Sequence, residues 1–195
     1  VQLDPNVEKI AQVIMPAIME TWEAEDDRTA AIEICQSFAS CLNKCGPGLI
    51  SPQWIEPTCQ LTMQILEKKA PSQIDPEADE DEETEDSSEY ESVLISAAMD
   101  LVGAMAYVLC DSFMTPMRQF LPLLCKYYSP GRSVTDRATA IGSLGEITVN
   151  MKRAITPFTQ DILAILSHAV GDEDASVRSN AAFAAGVLIE HSDSD

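Results

Sequence analysis

The sequence predicts an all-α protein, a right-handed solenoid of antiparallel helix pairs, from an internal repeat and from the turn chemistry that punctuates it. The repeat is a block recurring at a separation of 41 residues: DRATAIGSLG at 136–145 aligns with VRSNAAFAAG at 177–186, which places Arg137 on Arg178, Ala140 on Ala181 and Gly145 on Gly186. The same shift carries Thr115-Pro116 onto Thr156-Pro157. A period of about 40–47 residues, with each unit reading as two helices, is the pattern of HEAT and armadillo repeats. Such units cannot bury their apolar faces alone, so they stack and leave an extended concave surface for partners.

Taken in order, a first helix falls near 6–22, with Pro16 inside it and a kink expected there. The second, near 26–45, stops at Gly46-Pro47-Gly48, and Ser51-Pro52 opens a third near 51–69 with proline at the first helical position. A fourth near 90–110 contains the apolar run 94–110, interrupted by Asp100, and reads as a buried repeat helix rather than a membrane span. The fifth, near 113–128, holds Pro122, where another kink is expected, and Ser129-Pro130-Gly131 separates it from a sixth near 134–151. The seventh and eighth fall near 155–169 and 174–190, with Gly171-Asp172 between them. Shifting the repeat back by 42 residues puts Gly103 on Gly145, and by 109 puts Arg28 on Arg137. The chain therefore divides into about four HEAT repeats, 1–46, 47–111, 112–152 and 153–191, in a single segment over 1–195. Trp22 and Trp54 are expected to pack between repeats.

Charge is the second strong feature. The net charge is −20, and the stretch 75–91 carries eleven carboxylates and no base. So dense a like-charge block repels itself, and an acidic loop inserted over 71–91 is expected, either solubilising or a flexible arm for a basic partner. Nucleic acid is excluded as a ligand class, because phosphate binding needs a basic stripe and the twelve Lys and Arg are dispersed among thirty-two acids. Six cysteines occupy apolar helical positions without a histidine beside the closest pair, Cys41 and Cys45. Buried reduced thiols are expected, with no metal and no cofactor, in the cytoplasm or nucleus. No signal peptide or membrane span is read, and no phosphate loop, nucleophile elbow or zinc-protease motif occurs, so no enzyme is expected.

A candidate binding face follows from helix periodicity. Asn180, Phe183, Val187 and Glu190 recur at i, i+3, i+7 and i+10, apart from the packing stripe of Val177, Ala181 and Leu188. Carrying that face through the repeat yields Glu33, Asp100, Glu146 and Glu190 as an acidic ladder, with Asn180, Phe183 and Tyr107 between. Carboxylates would receive lysine ammonium groups while aromatic faces hold their aliphatic stems. Arg28, Arg137 and Arg178 begin successive second helices with Asp27, Asp136 and Asp174 nearby, and are expected to form an Asp–Arg ladder tying layers together.

The stretches FLPLLCKYY at 120–128, RSVTDRATAIGSLGEI at 132–147, TPF at 156–158 and VRSNAAFAAGVLIEH at 177–191 are similar to HEAT repeats of the karyopherin-β (importin-β superfamily) nuclear transport receptors. Within them they most resemble the importin-4-like branch. The close match covers about 113–191, with repeat-level likeness upstream, and implies a partial chain of a longer receptor. The resemblance implies nuclear import of basic cargo such as histones and ribosomal proteins through lysine-rich localisation signals, shuttling between cytoplasm and nucleus, and a Ran-type GTPase as partner of the full-length receptor. The alternative from another class is a HEAT scaffold subunit that organises a protein complex.

Overall fold

The computed structural model describes residues 5–74 and 85–193, with 85–88 described in backbone only. Every regular element among these residues is a helix. The chain forms two compact units, Val1–Ala104 and Met105–Asp195.

In the first unit, α1 (Pro5–Ala24) and α2 (Arg28–Cys45) are joined by a short turn in which Asp27 caps α2, its carboxylate accepting from the Ala30 N–H at 2.8 Å. Such caps are worth about 1 kcal/mol. Gly46, at φ +73°, closes α2 in a conformation that favours glycine. Helix α3 (Pro52–Leu66) opens on proline and packs against α1. The buried Trp22 meets Phe38 edge-on at 6.4 Å, so this ring packs between α1 and α2, within one helix pair.

Helix α4 spans Glu85–Leu109. Residues 75–84 of the acidic stretch lie outside the described residues, but 85–91, expected as loop, are helical. Two causes favour this: carboxylates are stabilised near a helix N-terminus, and Glu91 accepts from Gln73 at 3.0 Å and pairs with Lys68 at 3.3 Å. The apolar run of α4 has the length and composition to cross a membrane. Leu94, Ile95, Ala98, Met99, Leu101 and Val102 are all buried, however, with Asp100 exposed, as in a core helix.

The second unit contains the end of α4 followed by α5 (Met114–Tyr127), α6 (Val134–Met151), α7 (Thr159–Ala169) and α8 (Ala175–His191). Helix α5 pairs with α6 and α7 with α8, while α6 lies along α8. Their core is Phe113, Met117, Phe120, Leu124, Ile141, Leu144, Ile162, Leu166, Val177 and Leu188. Helices α1 and α5 continue as single elements through Pro16 and Pro122. The α-helix expected from residue 155 begins instead at Thr159, after a 3-10 stretch Lys152–Phe158. Pro157 supplies no N–H and disfavours the α conformation at Thr156. The cysteines also divide: Cys35 and Cys59 are buried, whereas Cys41 and Cys110 are exposed. Burial pushes the Cys35 and Cys59 thiols up to about 12. The architecture is all-α, with its helices in pairs of the HEAT kind.

Candidate functional site

The seam between α6 and α8 takes in Asn180 and Phe183 of the predicted face. Gly142 and Gly145 leave notches on α6, and α8 lowers its side chains into them. A Cβ at Gly145 would stand 2.9 Å from the Phe183 ring and 3.3 Å from the Ala184 Cβ; one at Gly142 would stand 3.1 Å from Asn180 Nδ2. Asn180 Nδ2 donates to the Ala138 carbonyl at 2.8 Å. Asn180 and Phe183 were expected on a face separate from the packing stripe, and this is corrected: both belong to the layer contact. The reason is that helices whose facing residue is glycine approach closely enough for the i and i+3 side chains of one to reach the backbone of the other.

The outer part of that seam is open. Phe183 is 46% exposed, and Glu146 on α6 and Glu190 on α8 are exposed. Tyr107, near the end of α4, is 48% exposed. This unit therefore holds Tyr107, Glu146, Asn180, Phe183 and Glu190. Glu33 and Asp100 belong to the first unit. Glu33, exposed on α2, edges an apolar groove formed with α1 by Val7, Ile10, Ile14, Ile34 and Phe38, so its surroundings are greasier than a ladder of acids implied. Asp100 is exposed between buried Ala97 and Ala104.

The predicted arginine ladder is rearranged. Arg137 Nη2 donates to Asp172 Oδ1 at 3.2 Å and Glu173 Oε1 at 3.1 Å, while its Nη1 donates to the Arg132 carbonyl at 3.1 Å. Its partner in the next helix pair is thus Asp172, rather than Asp174 or Asp136. Asp174 instead caps α8, accepting from the N–H groups of Ser176 and Val177. Asp136 sits one turn from Arg132, at 3.9 Å. Arg178 turns back on its own loop, donating to the Asp172 and Glu173 carbonyls at 2.7 Å each. Arg28 donates from Nε to the Ser72 carbonyl at 3.1 Å. A residue at a helix start is beside orphan backbone groups, so local partners compete with distant ones.

Asp172 is the hub that sequence reasoning missed. It also accepts from the Tyr128 hydroxyl at 3.2 Å and from the Asp174 N–H at 3.0 Å. The Asp174 N–H and the Arg137 guanidinium hold its carboxyl below the ordinary aspartate value, against the opposing effect of burial. Burial and the Asp172 charge push the Tyr128 hydroxyl up. The only sequence signal for this hub was Asp172 following Gly171 in an interhelical turn.

Comparison with known proteins places these features in context. No family model matches the chain. It is 32% identical over 203 residues, covering all of this chain, to a probable importin subunit beta-4 of Schizosaccharomyces pombe. It is 29% identical over 180 residues to the importin-4 of Homo sapiens, covering 91% of this chain, and 29% identical over 194 residues to that of Mus musculus, covering 96%. The chain spans 19%, 17% and 18% of the lengths of these three relatives.

Proposed function

We propose that this chain, an importin-4-like karyopherin segment, serves a nuclear import receptor by holding basic protein cargo against the acidic outer side of α6 and α8. Its helix pairs are read as about four HEAT repeats of a receptor that shuttles between cytoplasm and nucleus, with a Ran-type GTPase as partner of the whole protein. One observation carries the cargo reading: Glu146 and Glu190 are exposed on α6 and α8, which meet at the half-open Phe183 ring, in a chain of net charge −20. A lysine-rich segment matches that chemistry, its ammonium groups meeting carboxylates and its stems lying on the ring. Histone tails and ribosomal protein extensions are the cargo class proposed. Asn180 gives one amide N–H to the Ala138 carbonyl, which leaves its second N–H and its carbonyl oxygen as the groups it can offer to cargo.

Calorimetry with a lysine-rich peptide tests this. Replacing both Glu146 and Glu190 by Ala should weaken binding by more than tenfold, about 1.4 kcal/mol, with helical content retained. Lys→Gln changes in the peptide should weaken it similarly. Equal affinity for the parent and the double variant would remove this face as the capture site. The scaffold reading draws on the apolar groove of α1 and α2, and under it a partner would bind through that groove with little response to charge changes on α6 and α8.

A further inference from the structure

The turn between α5 and α6 carries a short pattern that neither the helix packing nor the cargo reading uses. Four Ser/Thr-Pro pairs occur, at Ser51, Thr115, Ser129 and Thr156, and of these Thr115 and Ser129 have arginine at the third following position, Arg118 and Arg132. Thr115 lies inside α5 with Pro116 and Met117 buried after it. Ser129 is part-exposed, and Pro130 and Gly131 are exposed. The Arg132 N–H donates to the Ser129 carbonyl at 3.1 Å across this turn, with Gly131 at φ +92°. Opening the turn breaks that bond without unwinding a helix. Protein kinases take the acceptor hydroxyl in an extended segment, and a residue before proline already favours that form.

We propose that Ser129 is a phosphorylation site for a proline-directed kinase that also reads Arg132, and that the phosphate loosens the joint between the α5–α6 and α7–α8 turns. The step transfers the terminal phosphoryl group of a nucleoside triphosphate. Ser129 Oγ forms the new O–P bond as the bond to the diphosphate leaving group breaks, and its proton passes to the kinase's catalytic carboxylate and then to solvent. Three features set the direction of the effect. The Ser129 hydroxyl donates to the Lys126 carbonyl at 3.0 Å, and phosphorylation removes that donor. Ser129 follows the C-terminal end of α5, where the helix dipole disfavours negative charge. It also shares a cleft of about 580 Å³ with Arg137, His168, Asp172 and Glu173. Asp172 and Glu173 already hold the Arg137 guanidinium, at 3.2 and 3.1 Å. A phosphate brings a charge of about −1.5 to −2, and beside carboxylates it disrupts by repulsion. Arg137 Nε is buried and makes no hydrogen bond among the described residues, so the guanidinium keeps a donor with which to leave Asp172 for the phosphate. The site is independent of the cargo reading, since it rests on the turn and its cleft.

Labelling the full chain with a cyclin-dependent kinase and ATP, read by peptide mass spectrometry, tests the site. Phosphate is expected on Ser129 and absent from Thr115 while the chain is folded; the heat-unfolded chain should be labelled on both. Ser129→Ala, checked as folded by circular dichroism, should lose the native label. Arg132→Gln should slow labelling about tenfold or more, as a charge-assisted contact to the kinase is lost. A native chain without phosphate on Ser129, or one whose rate is indifferent to Arg132→Gln, overturns the site. The phosphorylated chain should then melt lower than the unmodified chain by at least about 2 °C. The drop should shrink in 0.5 M salt, where charge repulsion is screened, and in Asp172→Asn, which removes a facing carboxylate. Melting at or above the unmodified value, or a drop unchanged by both salt and Asp172→Asn, overturns the loosening.

Discussion

Gly145 sets how closely α8 can approach α6, and its effect can be separated from that of glycine in general. Glycine within a helix costs about 1 kcal/mol relative to alanine, so alanine gains where space is open and loses where it is not. At Gly145 a Cβ would stand 2.9 Å from Phe183 and 3.3 Å from Ala184, and overpacking of this kind costs about 1–3 kcal/mol. Gly145→Ala is predicted to destabilise the chain in urea titration, while Gly186→Ala, with nothing within 4 Å, is predicted to stabilise it by up to about 1 kcal/mol. Adding Phe183→Ala should make Gly145→Ala less harmful, because the ring is the nearest obstacle. Two glycines that respond alike would show that propensity, and not the close approach, governs the site.

Between elements, the α5–α6 and α7–α8 turns are held by Asp172, which receives Arg137, Tyr128 and the Asp174 N–H. This cluster lies at the turn ends, where backbone groups are left without helical partners, and it orients two helix pairs at once. The carboxyls of both Asp172 and Asp174 are held below 3.8, the first chiefly by the Asp174 N–H and the second chiefly by the Ser176 hydroxyl. A carboxylate depressed in the folded state contributes stability that is fully present above its unfolded value and is lost as pH falls through its folded value. Stability should therefore decline from just above pH 3.8 downward. Asp172→Asn is predicted to lower the melting temperature at pH 7, with the gap to the parent narrowing below pH 3.8. A gap independent of pH, measured by circular dichroism, would assign the loss to shape rather than charge.

At the scale of the whole molecule, the net charge of −20 acts on encounter before any contact forms. Charge-steered association is raised about 10- to 1,000-fold over a neutral pair and falls with salt, because the screening length shrinks to about 10 Å at 0.1 M. The association rate of a lysine-rich peptide is predicted to fall at least about tenfold between low and physiological salt, while dissociation changes less. Stopped-flow fluorescence separates the two. Association insensitive to salt would favour the apolar groove of α1 and α2 as the working surface.

Helix pairing was legible because its determinants are local: the 41-residue repeat and stops such as Gly46 and the Ser129-Pro130-Gly131 turn depend on residues near in sequence. The acidic character of the surface was equally legible, since charge adds without regard to fold. Local chemistry also misled, as at 85–91, where repulsion suggested a loop but Lys68 and Gln73 hold Glu91 on a helix. Partner choice belonged to the tertiary structure alone. Arg137 could be predicted to seek an acid, and Asp136 and Asp174 were the ones the sequence suggested, but the turn of the next helix pair brought Asp172 within 3.2 Å instead. Asn180 and Phe183 lay one side of a helical wheel from the packing stripe, yet two glycines on α6 let the helices close until both side chains entered the seam. Periodicity sorts residues by direction, whereas contact depends on the distance between helices, and that distance is decided by the side chains of both partners together.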